Sequence, residues 1–229
     1  MRLQISPTVD LLPWWRQLLC RACLLMWLKA LGTMAFMGLF FWAYFSVLAH
    51  PLRPAWVMPQ LALDHWVAFT PLAFPVYASL WIYVSLPPAL LGNLRALLCF
   101  GGWMAALCLS GLAIFWLLPT AVPPAGLDWS AYPQMALIKN IDGGGNACPS
   151  LHVASAVFAA LWLGRVLWQV RAPLWLRGAN WLLALAIVWS TLATRQHVLL
   201  DVIAGLLLGL LFAFGSLRQL QRTQCRPLL

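Results

Sequence analysis

Residues 30–49 read ALGTMAFMGLFFWAYFSVLA, a run without a single charged side chain. Crossing the hydrocarbon core of a bilayer takes a helix of roughly 20 apolar residues, and this run supplies one. Working outward, Trp66 to Leu94 and Ala96 to Leu127 are equally free of charge. Across all 229 residues the chain is 63% hydrophobic and only 8% charged, whereas a soluble domain carries about a quarter charged residues. Of its fifteen tryptophans, Trp56, Trp66, Trp129, Trp175 and Trp181 fall near the ends of apolar runs, where an interfacial aromatic belt would sit. The expected fold is therefore an all-α membrane protein, a six-transmembrane-helix bundle. Its spans are predicted at about 24–48, 69–91, 96–118, 150–170, 174–194 and 198–217.

The chain reads as one membrane domain over 1–229, with a basic interfacial N-terminus (1–23), a six-helix core (24–217) and a basic tail (218–229). An interfacial helix is expected on Pro13-Trp14-Trp15-Arg16. No cleavable signal peptide is expected, because the first apolar run is long and five more follow it. Pro71, Pro75, Pro87 and Pro88 bracket or kink the second span. A loop of about thirty residues separates the third and fourth spans and carries Lys139, Asp142 and Gly143-Gly144-Gly145; loops this long are often functional.

With six spans both termini share a side, which also holds Arg2, Arg16, Arg21, Lys29, Arg95, Arg165, Arg171, Arg177, Arg218, Arg222 and Arg226. The positive-inside rule makes that side, and both termini, cytoplasmic. The opposite face keeps only Arg53, Lys139 and Arg195 of the fourteen Lys and Arg, together with all four histidines. Cations on a face that should lack them point to anion binding. The net charge of +9 sits at run ends and not along a soluble face, so nucleic acid is not an expected partner. The six cysteines form no plausible disulfide framework. Cys20-x-x-Cys23 lacks a second ligand pair and reads as two small interfacial residues.

Two helix openings carry the chemistry. The fourth span begins Pro149-Ser150-Leu151-His152, and the sixth begins Thr194-Arg195-Gln196-His197 and continues to Asp201. In an alternating bundle both openings lie at the outer face. His197 and Asp201, four apart, share a helix face. Gly205 and Gly209 continue that face, and Ser155, Ala156, Ala159 and Ala160 follow His152, so the two helices can pack closely. Two imidazoles, one carboxylate and several cations suit phosphoryl transfer. One imidazole, its tautomer fixed by the carboxylate, attacks phosphorus to give a phosphohistidine, and the other protonates the leaving oxygen. Guanidinium and ammonium groups stabilise the equatorial oxygens. Ser150 is the expected N-cap of a helix whose first N–H groups face the anion.

These residues resemble the type 2 phosphatidic acid phosphatase superfamily of membrane lipid phosphatases and phosphotransferases. Its Pro-Ser-Gly-His motif reads Pro149-Ser150-Leu151-His152 here, and the His and Asp of its third motif match His197 and Asp201. Ser190 stands at that motif's serine, Thr191 at its arginine, and Arg195 lies two residues before the histidine. Of the first motif, Arg53-Pro54 match while Ser46 replaces the lysine. Pro-Ser-Leu-His, the Arg195-Gln196 pair and the stretch Leu63-Asp64-His65 through Pro71 and Tyr77 are similar to the branch containing inositol phosphorylceramide synthases. The resemblance implies His197 as nucleophile, Asp201 as its orienting base and His152 as the acid, with Ser150 and Arg195 on phosphate and Arg53 a further ligand. Lys139 is added as a cation from the loop preceding the second motif. Arg53 fits a lipid-headgroup contact equally well, and Lys139 an ordinary loop lysine.

The implied activity is metal-independent removal of phosphate from a lipid phosphate or pyrophosphate, with no cofactor and no metal ligand set. The partners are the lipid substrate and the bilayer, and the expected location is a bacterial inner membrane with the site facing the periplasm. The same residues would serve a lipid phosphotransferase, since they do not specify whether water or an alcohol resolves the phosphohistidine. A proton-relay transporter predicts polar residues at mid-membrane depth and repeated halves, and a haem protein would use His152 and His197 as ligands. Asp64 and Asp128 read as solvated loop residues.

Overall fold

The computed structural model describes residues 11–136 and 144–224. Helix α1 (Trp14–Cys23) starts after Pro13, whose missing N–H costs nothing at a helix start. The chain turns through Leu25 in the left-handed region (φ 55°) and enters α2 (Met26–Ala49). A two-residue strand β1 (Trp56–Val57) and a short α3 (Ala62–Trp66) follow.

The stretch expected as the second span is not one continuous helix. It is a file of pieces: a 3₁₀ turn (Pro71–Ala73), α4 (Phe74–Ala78), α5 (Leu80–Tyr83) and α6 (Leu86–Leu90). Proline removes a donor and crowds the preceding turn, and Pro75 and Pro87 each stand in the first positions of a restarted piece. The pieces stay stacked through Ser79 N–H to Pro75 O (2.9 Å) and Val84 N–H to Leu80 O (2.8 Å). The file starts with Thr70 N–H donating to Ala193 O (2.9 Å) and ends where Lys29 Nζ donates to Ala89 O (2.9 Å).

Helix α7 (Leu94–Leu117) is capped by Asn93, whose Oδ1 accepts Ala96 N–H at 2.7 Å. It leads into β2 (Thr120–Ala121), which pairs in parallel with β1. Three helices complete the bundle: α8 (Leu151–Gln169), α9 (Leu174–Ala193) and α10 (Leu199–Gln224). Among the described residues five helices are long and apolar enough to cross a membrane: α2, α7, α8, α9 and α10. The first four lie within about two residues of their predicted spans, and α10 starts where predicted but continues to Gln224, past the expected end at 217.

Helix α8 is the centre, packed against α6, α7, α9 and α10. Its closest neighbour is α10, because small residues meet there. A Cβ on Gly205 would overlap the Ser150 carbonyl oxygen, and one on Gly209 would press on Ala154. Trp162, Asn180 and Tyr83 inside this core have their polar groups paired, as a medium without water demands. Trp162 Nε1 donates to Ser216 Oγ (2.9 Å), Asn180 Nδ2 to Ala160 O (3.1 Å), and Tyr83 Oη to Asn180 Oδ1 (2.7 Å).

The two ends of the bundle differ. At one, Trp14 meets Trp175 edge-on, Arg21 Nη1 donates to Gln169 Oε1 (3.3 Å), and Lys29 Nζ donates to Arg21 O (2.6 Å). At the other, β1, β2 and an antiparallel bridge from Ala121 to Gly145 lay a small cover over the start of α8. Met58, Ala147 and Val198 are buried beneath it.

Candidate active site

Ser150 begins the site by ending the loop. Its Oγ accepts Val153 N–H (3.2 Å), so it is the N-cap of α8, and its own N–H donates to Asp201 O (3.0 Å), tying α8 to the first turn of α10. The hydroxyl is fully buried in that role. Leu151, at the position of the motif glycine, is accommodated by Gly111 of α7: a Cβ there would collide with the Leu151 side chain.

His152 follows on the inner face of α8. Its ring stacks on Tyr77 of α4, centroids 4.1 Å apart and planes 11° from parallel, and meets Trp81 edge-on at 6.2 Å. Nε2 is buried and without a hydrogen-bond partner among the described residues. An unsatisfied ring nitrogen in a buried site is costly, and here it has a cavity in front of it.

His197 is presented by a turn at the end of α9. Gln196 and His197 N–H both donate to Thr191 O (3.0 and 3.1 Å), and Arg195 adopts φ 56° at the position where a helix usually ends in glycine. That conformation costs a side-chain-bearing residue about 1–2 kcal/mol, and the Arg195 side chain makes use of it. Nη1 donates to Asp64 O (3.0 Å) and Nη2 to Val67 O (2.9 Å), fastening α3 to the turn. Thr191, in place of the motif arginine, is fully buried, with Oγ1 donating to Val188 O (2.7 Å).

Asp201 is completely buried. Its Oδ2 accepts Val198 N–H (3.1 Å) and lies 3.4 Å from His197 Nδ1. That separation suits an ion pair but is longer than a formed hydrogen bond; such catalytic contacts are often long without substrate and tighten when it binds. A carboxylate facing Nδ1 favours the tautomer with the proton there, leaving Nε2 as a free lone pair.

His152 and His197 line one cavity of about 810 Å³, joined at that end by Gln196, Asn146, Gly144 and Gly145. The fold thus brings His152, His197, Asp201 and Ser150 together across the α8–α10 seam. Arg195 abuts them but spends both Nη groups on backbone carbonyls and does not line the cavity. Arg53 stands exposed on the loop after α2, outside the cavity. Ser46, at the motif lysine, turns its hydroxyl back onto Trp42 O (2.7 Å). Lys139 lies outside the described residues.

Sequence reasoning named Gln196 only as a mark of resemblance and gave it no role in the site; its buried Nε2 has no partner among the described residues. Tyr77 entered only as part of the resembling stretch, without its ring contact to His152, and Trp81 was missed altogether. Asp64 calls for a correction: it is buried, not solvated. Its Oδ1 accepts Leu199 N–H and its Oδ2 accepts Leu61 N–H, both at 2.7 Å, so one carboxylate satisfies the first turns of α10 and α3 together. Asp128 is the surface residue expected, held below the ordinary carboxylate range by the Ser130 hydroxyl and N–H. Outside the membrane helices, the Cys148 thiol is pushed up to about 11, first by burial and then by the nearby Asp201 charge. Among the described residues no three His, Cys, Asp or Glu side chains gather as a metal site.

Comparison with known proteins adds one finding: the family model described as the PAP2 superfamily matches residues 28–225. No curated protein matches the chain, and neither does any solved structure.

Proposed function

The chain belongs to the PAP2 superfamily, and from that premise we propose that it removes phosphate from a lipid phosphate or pyrophosphate at the outer face of a membrane, through a phosphohistidine on His197. Membership itself implies phosphatase or phosphotransferase chemistry on lipid phosphates. The observation that carries the finer reading is the meeting of His152 and the His197–Asp201 pair at the polar mouth of one largely apolar cavity.

In the proposed reaction His197 Nε2 attacks phosphorus, forming an N–P bond as the bond to the lipid oxygen breaks. His152, protonated once the anionic phosphate lies beside it, gives its proton to that oxygen, and Asp201 offsets the charge that grows on the His197 ring. Water, deprotonated by the now neutral His152, then cleaves the N–P bond and releases phosphate. The amide of Gln196 and the first N–H groups of α8 are donors for the equatorial oxygens. Arg195 acts on the same anion through its charge while holding α3 in place. Arg53 and Lys139 are proposed as further cations for the bound phosphate.

The proposed membrane arrangement has six crossings, the file of short helices from Pro71 to Leu90 being the sixth. It runs from beside Ala193 to beside Lys29, the same two ends that α9 connects. The end carrying Arg16, Arg21, Lys29, Arg171 and Arg177 is then cytoplasmic by the positive-inside rule, with both termini, and the site faces outward. In a bacterial inner membrane that is the periplasmic face.

A transferase is the second reading. Leu151 of Pro149-Ser150-Leu151-His152, seated on Gly111, and the Arg195-Gln196 pair before His197 are features that resemble the inositol phosphorylceramide synthase branch. Purified wild type and His197→Ala, with chelator present, would be given phosphatidic acid, phosphatidylglycerol phosphate, polyprenyl pyrophosphate and inositol phospholipid, and both free phosphate and new lipids followed. Free phosphate from wild type alone is the expected result. A new phosphorylated lipid without free phosphate means transfer. Equal turnover by His197→Ala rejects the nucleophile, and loss on chelation restored by one metal rejects the metal-free mechanism.

A further inference from the structure

The cavity that ends at the two histidines is far larger than a phosphate needs. It continues away from them between α2, the file of short helices and α7, down to Lys29. At about 1.5 Å per residue, α2 rises roughly 25 Å between its lining residues Leu28 and Phe45, close to the hydrocarbon thickness of a bilayer. Polar groups line its two ends, with His152, His197, Gln196 and Asn146 at the mouth and Lys29 at the floor. The walls between are mainly aromatic and aliphatic. Lys29 Nζ is held by the carbonyls of Arg21 and Ala89, so the floor is a built closure.

Two lining positions are glycines with room in front of them. A Cβ on Gly32 of α2 or on Gly101 of α7 would meet no atom within 4 Å. Glycine inside a helix costs about 0.5–1 kcal/mol relative to alanine, so these positions favour open space over helix propensity. Gly101 lies roughly 20 Å along α7 from Phe115, which lines the mouth. Gly102, the neighbour of Gly101, also meets no atom within 4 Å and is exposed as Gly32 is, but it does not line the cavity.

We infer that the substrate is a long-chain lipid whose hydrocarbon tail runs inside the protein from His197 to Lys29, and that Gly32 and Gly101 keep the deep half open for it. The occupant is the substrate's own chain because the space is continuous with the histidines that face its phosphate. This rests on the lipid phosphatase reading above. Since a tail in the bilayer is already in hydrocarbon, the device discriminates by steric room and not by hydrophobic gain.

The test compares hydrolysis of dioleoyl phosphatidic acid and its dihexanoyl analogue by wild type, Gly32→Phe, Gly101→Phe and Gly102→Phe. Gly32→Phe and Gly101→Phe should lose about tenfold or more in kcat/KM on the dioleoyl lipid while keeping the dihexanoyl rate, which also shows that they are folded. Gly102→Phe should match wild type on both. Equal rates for all four proteins on the dioleoyl lipid, or parallel loss on both lipids, would overturn the inference. If wild type cleaves neither lipid, the failure lies with the phosphatase reading, and a second measurement still decides the cavity. Dioleoyl phosphatidic acid with a photoreactive diazirine at its chain end should label residues around Lys29 and Gly32. Label confined to the outward side chains Met34 and Trp42 would place the tail in the bilayer and reject the proposal.

Discussion

Helices α2 and α8 have almost the same mean hydropathy, 1.6 and 1.5, yet none of the apolar window of α2 is buried inside the protein, against 67% of that of α8. Hydropathy therefore selects the membrane and says nothing about the neighbour. Side-chain size does the rest. Ala154, Ala156, Ala159 and Ala160 let α8 approach its partners until no solvent or lipid reaches them, while α2 turns Trp27, Leu31, Met34 and Trp42 outward. Between helices in lipid there is little hydrophobic driving force, so close packing and a few hydrogen bonds must hold them. The candidate chemistry sits on the tight side of the molecule, and the cavity opens on the loose side.

The most damaging way to break this contrast is at Gly205. A leucine there would drive its Cβ into the Ser150 carbonyl, separating α8 from α10 at the level of the site. Gly205→Leu should lose both a defined thermal transition in detergent and all turnover. Gly38→Leu on α2, where a Cβ meets nothing within 4 Å, should melt and turn over like wild type. If the two variants behaved alike, tight and loose sides would be a distinction without energetic content.

A smaller effect is expected at Asp64. Alanine would strand the partly buried N–H groups of Leu61 and Leu199, and a fully buried stranded donor costs about 1–3 kcal/mol. Asp64→Ala should lower stability by about 2–4 kcal/mol in denaturant titration and reduce kcat through the displaced His197 turn. Unchanged stability would mean that α3 is an ornament to the site and not its brace.

What was legible in the sequence follows the same division. Apolar runs located α2, α7, α8 and α9 and the start of α10, because a bilayer fixes helix length, while α10 continues to Gln224, past the predicted end at 217. His197 with Asp201, and Ser150 as N-cap, were legible because helix periodicity and capping act over three or four residues. Arg195 on the Asp64 and Val67 carbonyls, and Asp64 on Leu199, join positions more than a hundred apart. Nothing local announces such contacts, so Asp64 read as a solvated loop residue. The prolines marked the second span as interrupted, but only the stacked pieces show that it still runs from Ala193 to Lys29.

A subtler effect is expected where the loose side touches the tight one. Tyr77 reaches from α4 to lie flat on His152, and such ring pairs contribute about 0.5–1.5 kcal/mol. Tyr77→Leu should keep the fold and cost kcat about two- to tenfold, with the pH dependence of kcat displaced because the imidazole has lost a neighbour. A change in KM alone would make Tyr77 part of the lipid wall and not a support for His152.

The mildest test leaves the chain unmutated. Cys148 lies under the β1–β2 cover beside Asp201, its thiol pushed up to about 11 from 9.0, whereas Cys20 and Cys23 are exposed on α1 at the far end. Only the thiolate reacts with alkylating agents, and a raised pKa means that the thiolate appears only as pH climbs toward 11. At pH about 8 iodoacetamide should therefore modify Cys20 and Cys23 first and Cys148 some hundredfold more slowly than an ordinary thiol, since each pKa unit is a factor of about ten. Peptide mass spectrometry reads all three. Rapid labelling of Cys148 at that pH would mean that the cover lifts and exposes the thiol to water. The tight side would then be tight only along the α8–α10 seam, and the mouth of the cavity would belong with the loose side of the molecule.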